Sequence, residues 1–403
     1  MKITMSGKMV IAALLVVAVI AAQFVLLPWL GFGADREMVI AGTGHFFIYD
    51  FDAGAAFHSN DSRFFFFASR DGMQYRTSNG NIIWRETLSF NNPWLSARGD
   101  YVAIGEQRGG RVVYVFNSEG QSFRVALENP IVSFSVNETG FLTVIAQYDR
   151  GYGIYVFNRY RSAADYWLFH WDMPFDLLWP THAEVSPDGR YIAVAIADLT
   201  MGVQTRVQFR YISAWDAWNT DQGLFGHQDF FGLVTALRFV DNNRLIISTT
   251  SQITAFQMGP SHATSRQLWQ HDKDNVITNI AFFGNSHFAY VVGERLPMAT
   301  SEGYPAGTLH IYTTNGTRTG TFNMGRRASH LRMGQNAVLI GAGRSFVAVD
   351  FRGAPMWEHI TLYDTMDVLF LENTSTILVA GSNRAEVYER QRLRDYISED
   401  YEI

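Results

Sequence analysis

The chain of 403 residues contains no cysteine, and this absence excludes several classes of protein. Disulfide-stabilised domains, thiolate zinc sites, iron–sulfur clusters and cysteine nucleophiles all require a thiol. A lipid-modified cysteine is excluded as well, so any membrane anchor must be the polypeptide itself. The 11 histidines are scattered, with no spacing typical of a metal site. We therefore expect neither a metal nor a cofactor.

Charge is also scarce. Charged residues make up 17% of the chain and the formal net charge is −6. Lys2 and Lys8 precede the first hydrophobic segment, and removing these two positive charges changes the formal charge from −6 to −8 for the remainder. A field of this sign disfavours DNA, RNA and anionic lipid as partners. No nucleic-acid partner is expected.

Long hydrophobic runs are missing after residue 37, but one stands before it. Residues 9–30 contain no charged residue, and at about 1.5 Å per residue they span the ~30 Å hydrocarbon core of a membrane. Ala21-Ala22-Gln23 resembles a cleavage site, yet apolar sequence continues to Leu30, whereas a signal peptide has an apolar core of about 7–15 residues. The segment is predicted to be a single transmembrane helix.

The flanking charges set the orientation of this helix. Lys2 and Lys8 precede it, while Asp35, Arg36 and Glu37 follow it. The positive-inside rule predicts a cytoplasmic N-terminus at residues 1–8, a linker at residues 31–36 and everything beyond outside the cytoplasm. The protein is therefore expected in the cell membrane, with the large domain extracytoplasmic.

What the remainder has in abundance is glycine (34 residues) and aromatics (15%), which suits a β-rich fold with many tight turns. One pattern recurs: an apolar strand, a short gap, then a strand rich in Val, Tyr and Phe. The first strands of these pairs begin about 37 to 54 residues apart, a spacing expected of four-stranded propeller blades. They begin near Phe64, Tyr101, Phe141, Tyr191, Leu245, Phe288, Val338 and Ile377.

The ends of the repeat predict how the ring closes. The last copy ends near Tyr388 without a fourth strand, and residues 37–51 have no partner of their own. The simplest closure lets this segment, through His45–Phe51, supply the outer strand of the last blade. The sequence thus predicts an all-β, eight-bladed β-propeller over residues 37–390 with a charged tail at 391–403, and a seven-bladed ring as the alternative.

Three stretches carry a resemblance to known propellers. Gly80-Asn-Ile-Ile-Trp84 and Gly353-Ala-Pro-Met-Trp357 are similar to the outer-strand signature of quinoprotein-like propellers. Ser186-Pro-Asp-Gly resembles the inner-strand turn of WD-repeat-like propellers. The run from Gly80 to Gly120 resembles an uncharacterised family of membrane proteins of Gram-positive bacteria. That resemblance covers essentially the whole chain and implies one N-terminal span with an external propeller, but no activity.

The sequence carries no recognisable enzymatic motif. Quinone-dependent dehydrogenation needs a calcium site, which no cluster of acidic residues suggests. Gly259-Pro-Ser-His-Ala lacks the final glycine of a serine-hydrolase elbow. Gly42-Thr-Gly and Gly151-Tyr-Gly have no following helix that could hold a phosphate. No catalytic residue is predicted, and the protein is not expected to be an enzyme.

Aromatic residues concentrate near the predicted fourth blade, and the longer connections are predicted to gather at one end of the ring, with residues 259–265 as an exception. In a propeller, connections between blades and those joining second to third strands emerge on the same face, where recognition usually occurs. Trp171, Trp179 and Tyr304 are predicted to form a binding rim on that face. The alternative is that these aromatics simply pack between wide blades.

Together these features predict a non-enzymatic binding or scaffold module of the cell envelope, with an envelope or membrane protein as its partner and a glycan as a further candidate. The alternative is an extracytoplasmic enzyme that acts on a cell-wall glycan or a small metabolite in the central channel. Convergent charged groups with perturbed pKa values at one channel mouth would favour the enzyme. An exposed aromatic rim would favour binding.

Overall fold

A computed structural model describes residues 38–50, 55–59, 63–107, 109–162, 167–174, 178–200, 202–212, 224–259, 265–273, 275–293, 307–324, 328, 330–372 and 374–392. Across these ranges the regular structure is entirely β-strand. None of the residues covered forms a helix of the length and apolarity needed to cross a membrane. The predicted transmembrane segment, residues 9–30, lies outside them.

The strands form eight antiparallel sheets of four strands each, so the prediction of eight blades is confirmed and the seven-bladed alternative is wrong. In blades 1 to 7 the strands follow chain order from the inner to the outer edge. Blade 1 comprises β2 (Ala56–His58), β3 (Phe64–Ser69), β4 (Gly72–Thr77) and β5 (Ile82–Thr87). Blade 2 comprises β6 (Pro93–Arg98), β7 (Tyr101–Glu106), β8 (Val112–Asn117) and β9 (Gly120–Ala126).

The next five blades repeat this arrangement. Blade 3 comprises β10 (Ile131–Val136), β11 (Leu142–Tyr148), β12 (Gly151–Phe157) and β13 (Phe169–Pro174). Blade 4 comprises β14 (Leu178–Val185), β15 (Tyr191–Asp198), β16 (Gln204–Tyr211) and β17 (Leu224–Phe231). Blade 5 comprises β18 (Val234–Phe239), β19 (Arg244–Thr249), β20 (Gln252–Gln257) and β21 (Arg266–Asp272). Blade 6 comprises β22 (Val276–Phe283), β23 (His287–Gly293), β24 (Thr308–Thr313) and β25 (Arg318–Asn323). Blade 7 comprises β26 (His330–Met333), β27 (Ala337–Ala342), β28 (Ser345–Asp350) and β29 (Pro355–Ile360).

Blade 8 combines the two ends of the chain. Its order is β30 (Asp367–Leu371), β31 (Thr376–Ala380), β32 (Arg384–Arg392) and then β1 (Met38–Ile48) as the outer strand. The Tyr49 N–H donates to the Asn383 carbonyl at 3.0 Å beside this pairing. The first strand therefore joins the last blade, although it begins before His45 and ends at Ile48. Phe51 lies outside the described residues.

Contacts divide the chain into two compact units, one of residues 44–387 and one of residues 1–43 with 388–403. The larger unit is the ring of blades. The described residues of the smaller unit, 38–43 and 388–392, are strand residues, and a side chain added at Gly42 would lie 3.9 Å from the Tyr388 ring.

Burial explains why the second strand of each blade was the clearest sequence signal. These strands pack on both faces, so they are short, nearly continuous apolar runs. Tyr191–Asp198 and Thr376–Ala380 are buried almost throughout. Outer strands such as Ile82–Thr87 are largely exposed and carry more polar residues. The core is thus a series of apolar layers between adjacent blades.

Outer-strand tryptophans tie one blade to the next. Trp84, from the Gly-x-x-x-Trp stretch, stacks on Phe116 of blade 2 at 5.6 Å and donates its indole N–H to the Ser118 carbonyl at 2.9 Å. Trp269 of blade 5 repeats this arrangement on blade 6, with its ring 5.6 Å from Phe288. The indole supplies both apolar area and a donor that finds a backbone acceptor.

The strand directions define two faces of the ring. On the bottom face the first strand of each blade turns into the second, and the third into the fourth; on the top face the second turns into the third, and successive blades are joined. The predicted concentration of long connections on one face is only partly right. Two long connections run from Phe157 to Phe169 and from Tyr211 to Leu224, and each joins the end of a third strand to the start of a fourth strand at the bottom face. The predicted exception, residues 259–265, likewise stands between the third and fourth strands of blade 5.

Candidate functional site: the top face and the central cavity

Trp171 is buried, and the prediction that it lies on an exposed rim is wrong. It belongs to β13 and is only 8% exposed. Phe169, Trp171 and Met173 alternate along this strand and pack into the layer between blades 3 and 4. The guanidinium of Arg210 lies 3.9 Å from the centre of the Trp171 ring. Its indole is therefore fully engaged in packing.

Trp179 differs from Trp171. It lies near the start of β14, at the top face, and is 41% exposed. Its backbone pairs with Ala197 of β15, which fixes its position. Tyr304 lies outside the described residues. The role of these two residues in binding stays a prediction.

Many other exposed apolar side chains also lie at the top face. They stand near the starts of inner strands, at the ends of outer strands, in the connections between blades, or in the connection from the second to the third strand of blade 4. We call them the apolar rim. Its members are Ile48, Trp94, Val132, Trp179, Leu199, Val203, Phe231, Leu233, Ile360, Leu362 and Met366.

The densest part of the apolar rim is at the outer end of blade 4. Phe231 is 77% exposed and Leu233 is 41% exposed, and they flank Gly232. The Gly232 N–H donates to the Val203 carbonyl at 2.9 Å, which brings a third exposed side chain alongside. The fully buried Thr205 donates its hydroxyl to the Gly232 carbonyl at 2.8 Å. The backbone that presents these side chains is therefore held by hydrogen bonds.

A cavity of about 760 Å³ occupies the centre of the ring beside blades 2 to 5. Its walls are built mainly from the inner strands β6, β10, β14 and β18. Inner strands are edge strands, so the backbone groups on their free side face this space. Hydroxyl side chains add to the lining: Ser133, Ser135, Thr143, Thr181 and Thr235.

Charged residues converge at the bottom end of this cavity. Arg98, from blade 2, forms an ion pair with Glu184, from blade 4, across the front of blade 3. Burial raises the pKa of the Glu184 carboxyl above its ordinary value, and the guanidiniums of Arg98 and Arg238 oppose that shift. Burial and the neighbouring Arg98 lower the pKa of Arg238 to about 10. Burial also lowers the pKa of His182.

These groups are the kind of cluster that the enzyme alternative requires, but their arrangement limits their chemistry. A general base needs a carboxylate that is free to accept a proton from a substrate. Glu184 is already engaged by Arg98, so the pair serves to neutralise two buried charges. No group of three or more acidic or histidine side chains suited to a metal ion occurs within the described ranges.

Sequence reasoning missed this charged end, although a signal was present. Arg98, Glu184 and Arg238 each stand near the end of an inner strand, shortly before the turn to the second strand. A charged residue at such a position must find a partner if the strand is buried. The inner strands themselves were not located in the sequence, so this position could not be recognised.

Comparisons with known proteins agree on the fold. No match was found among proteins with curated descriptions. Among solved structures, the chain is similar to BamB from Moraxella catarrhalis, with 13% identity, a TM-score of 0.50, and coverage of 87% of this chain and 98% of that one. It is also similar to Sqt1 from Saccharomyces cerevisiae, with 10% identity, a TM-score of 0.57, and coverage of 87% and 99%. At these identities the likeness shows the fold alone.

A family model matches residues 63–389, which is most of the chain and nearly all of the ring. The matched span begins just before β3, the second strand of blade 1, and ends within β32, the third strand of blade 8. The chain therefore belongs to the "Family of unknown function (DUF5711)".

Proposed function

We propose that the protein is a membrane-anchored, extracytoplasmic propeller that binds another envelope protein through its top face. The observation that carries this proposal is the apolar rim, above all Phe231, Leu233 and Val203 at blade 4. Large apolar side chains that cluster on a surface commonly mark interaction sites. Since their backbone is fixed by the Thr205 hydrogen bonds, little ordering entropy would be lost on binding.

Anchoring would strengthen such an interaction. Residues 9–30 are long and apolar enough to span a membrane, and Lys2 and Lys8 favour a cytoplasmic N-terminus. An anchor confines the propeller and a membrane partner to the same layer, which raises their effective concentration. A contact of modest affinity would then suffice.

The absence of cysteine allows a direct test of the topology. Leu362, 94% exposed, is replaced by cysteine to give a chain with one thiol, and intact cells are treated with a membrane-impermeant maleimide. We expect labelling without permeabilisation. A chain carrying Ser6→Cys, which keeps Lys2 and Lys8, serves as the matched control and should react only after the membrane is opened. Labelling of Leu362→Cys only in permeabilised cells would contradict the extracytoplasmic placement.

Binding is tested by site-specific crosslinking. A photoreactive amino acid is placed at Phe231 on the top face or, as a control, at Ile83, which is 49% exposed on the outer strand of blade 1 near the bottom face. We expect a discrete crosslinked protein from position 231 in membranes of the native cell and none from position 83. Equal crosslinking from both positions, or none from position 231, would overturn the proposal.

The enzyme alternative has less support. The charged groups at the bottom of the cavity have perturbed pKa values, which is a feature of catalytic sites. The carboxyl that lines the cavity there is bound by a guanidinium. The Thr181 hydroxyl lies 3.2 Å from Nδ1 of His182, but it also contacts the Ala195 carbonyl at 3.3 Å, so the backbone competes with that imidazole for its proton. We therefore propose a non-enzymatic role.

A further inference from the structure

The central cavity has chemically different ends. The Arg98–Glu184 ion pair joins blades 2 and 4 across its bottom end, with side chains that are 17% and 4% exposed. At the top end stand Trp94, 47% exposed, and Val132, 43% exposed. Its volume of about 760 Å³ falls within the range of pockets that hold small organic ligands.

The hydroxyl groups of the wall are arranged as hydrogen-bond acceptors. Ser135 donates its proton to the Ala183 carbonyl at 2.8 Å, and Thr235 donates to the Ser248 carbonyl at 3.2 Å. Thr181 donates to the Ala195 carbonyl at 3.3 Å. A hydroxyl that has given its only proton to the backbone retains lone pairs for a ligand.

An amide at the mouth supplies the complementary donor. The side-chain carbonyl of Gln107 accepts the amide of Asn92, which leaves the Gln107 NH₂ group to act as a donor. The wall thus offers acceptors and donors together. A ligand with several hydroxyl groups matches both, because each hydroxyl can donate and accept.

The carboxylates and the guanidinium of the described lining already have hydrogen-bond partners, so a charged ligand would have to displace them. Arg98 and Glu184 neutralise each other. The carboxylate of Glu106 accepts the backbone N–H groups of Asn91 at 3.0 Å and Asn92 at 2.5 Å. An anionic ligand would lie near two carboxylates and a cationic ligand near a guanidinium, so neither sign is favoured and a neutral ligand fits best.

From this geometry we infer that the cavity binds a neutral carbohydrate of one or two sugar residues, with the apolar face of a sugar ring on Trp94 and its hydroxyls on the Ser and Thr groups. This inference does not rest on protein binding by the apolar rim. It names the chemistry of the ligand, which would be either a free sugar or the end of a glycan chain.

The test is titration of the purified full-length protein, followed by tryptophan fluorescence and calorimetry. The neutral probes are glucose, N-acetylglucosamine and the disaccharide of N-acetylglucosamine; the charged probes are glucose 6-phosphate and glucosamine. We expect saturable binding of at least one neutral probe and about tenfold weaker binding, or none, for both charged probes. Absence of neutral binding up to 10 mM, or tighter binding of a charged probe, would overturn the inference.

Variants locate the site. Trp94→Ala should weaken binding about tenfold through loss of ring stacking, and Thr235→Val should weaken it about three- to tenfold through loss of one acceptor. Ile83→Ala is the control: Ile83 is 49% exposed near the bottom face and is not among the described residues that line the cavity, so affinity should not change. Trp179→Ala distinguishes the cavity from the apolar rim, because Trp179 belongs to the rim but not to the described lining. Circular dichroism checks the fold of each variant. Equal loss in Trp94→Ala and Trp179→Ala would place the ligand on the rim and contradict the inference.

A longer oligosaccharide distinguishes the two sources of ligand. Tighter binding of the disaccharide than of the tetrasaccharide of N-acetylglucosamine would identify a free sugar, and the reverse would identify a chain end; both support the inference. Crosslinking at Phe231 is independent of these titrations, so failure of one proposal leaves the other standing.

Discussion

The two faces of the propeller contrast in chemistry. On the bottom face, turns are closed by side chains that accept backbone N–H groups. The Asn137 amide oxygen accepts those of Thr139 and Phe141, and the Asp350 carboxylate accepts those of Arg352 and Ala354. The top face instead carries most of the exposed apolar side chains. Turns of the top face are closed in the same way, as where the Asp198 carboxylate accepts the Thr200 N–H at 2.9 Å, so the two faces differ in the exposed apolar side chains, which the turns do not require.

One bottom turn shows how strict this requirement is. Gly189, in the turn that starts at Ser186, has a φ of 72°, which favours glycine. A Cβ there would lie 2.4 Å from the Phe141 ring of the preceding blade. Asn137 extends the same contact by donating to the Val185 and Ser186 carbonyls. The bottom turns thus bind each other as well as closing their own hairpins.

The largest expected effect comes from two neighbouring phenylalanines on β17. Phe230 is 4% exposed and Phe231 is 77% exposed. Phe230→Ala should destabilise the protein by about 3–5 kcal/mol because it leaves a cavity between blades 4 and 5. Phe231→Ala should change stability by less than about 0.5 kcal/mol. Denaturant unfolding of the purified chain measures both changes. Similar losses in the free energy of unfolding would show that Phe231 is needed for folding as much as Phe230 is.

Breaking the ion pair at the bottom of the cavity should cause the second-largest loss of stability. Arg98→Ala leaves the Glu184 carboxyl without its hydrogen-bond partner at a site that is 4% exposed. We expect a loss of about 3 kcal/mol in the free energy of unfolding. The double variant Arg98→Met with Glu184→Leu should recover most of it, because neither charge is then left alone. Additive losses in the double variant would show that the two residues act separately.

Loss of a turn-closing side chain should have an intermediate effect. Asn137 is 3% exposed and its amide makes several hydrogen bonds, so Asn137→Ala should cost about 1–3 kcal/mol. Asn117 accepts the Glu119 N–H at the edge of blade 2 in an exposed turn. Asn117→Ala, the matched control, should cost about 0.5 kcal/mol or less. Thermal unfolding of the two variants would show equal shifts if bottom turns did not bind adjacent blades.

The smallest effect concerns the dependence of stability on pH. Burial lowers the pKa of His58 from 6.5 to about 4. The hydrogen bond to the Gly99 carbonyl opposes this shift, as do Asp100 and Asp367, whereas Arg332 lowers the pKa further. Protonation thus favours the unfolded chain, so stability is complete above about pH 6.5 and falls towards pH 4. His58→Gln should reduce this slope by at most about 1.4 kcal/mol per pH unit. An unchanged slope in urea titrations from pH 7 to 4 would exclude His58.

The sequence predicted the parts of the fold whose pattern is local. Doubly buried second strands and the turns before them are visible as apolar runs and Asn or Asp signals, and they were sufficient to predict eight blades. The inner strands are short and half-buried, as in Ala56–His58 and His330–Met333, and carry little pattern. The charged end of the cavity depends on these strands and on a contact between blades 2 and 4, which no local pattern encodes.

The error at Trp171 has a similar physical origin. The sequence Phe169-His-Trp-Asp-Met173 alternates apolar and polar residues, which is typical of a strand with one buried face. The density of aromatics in this region favoured a loop instead. Alternation therefore predicted burial here better than composition did, and at Phe230 and Phe231 it separates a buried ring from an exposed one.

Footprinting with a carbene reagent tests the role of the top face most directly. The full-length protein is labelled in native membranes and again after purification, and modification is compared at Phe231 and Leu233 on the top face and at Ile82 and Ile83 near the bottom face. All four side chains are at least 41% exposed in the ring itself. We predict that Phe231 and Leu233 are protected in membranes relative to the purified protein, with no change at Ile82 and Ile83. Unchanged labelling at Phe231 and Leu233, or protection at Ile82 and Ile83 alone, would contradict it.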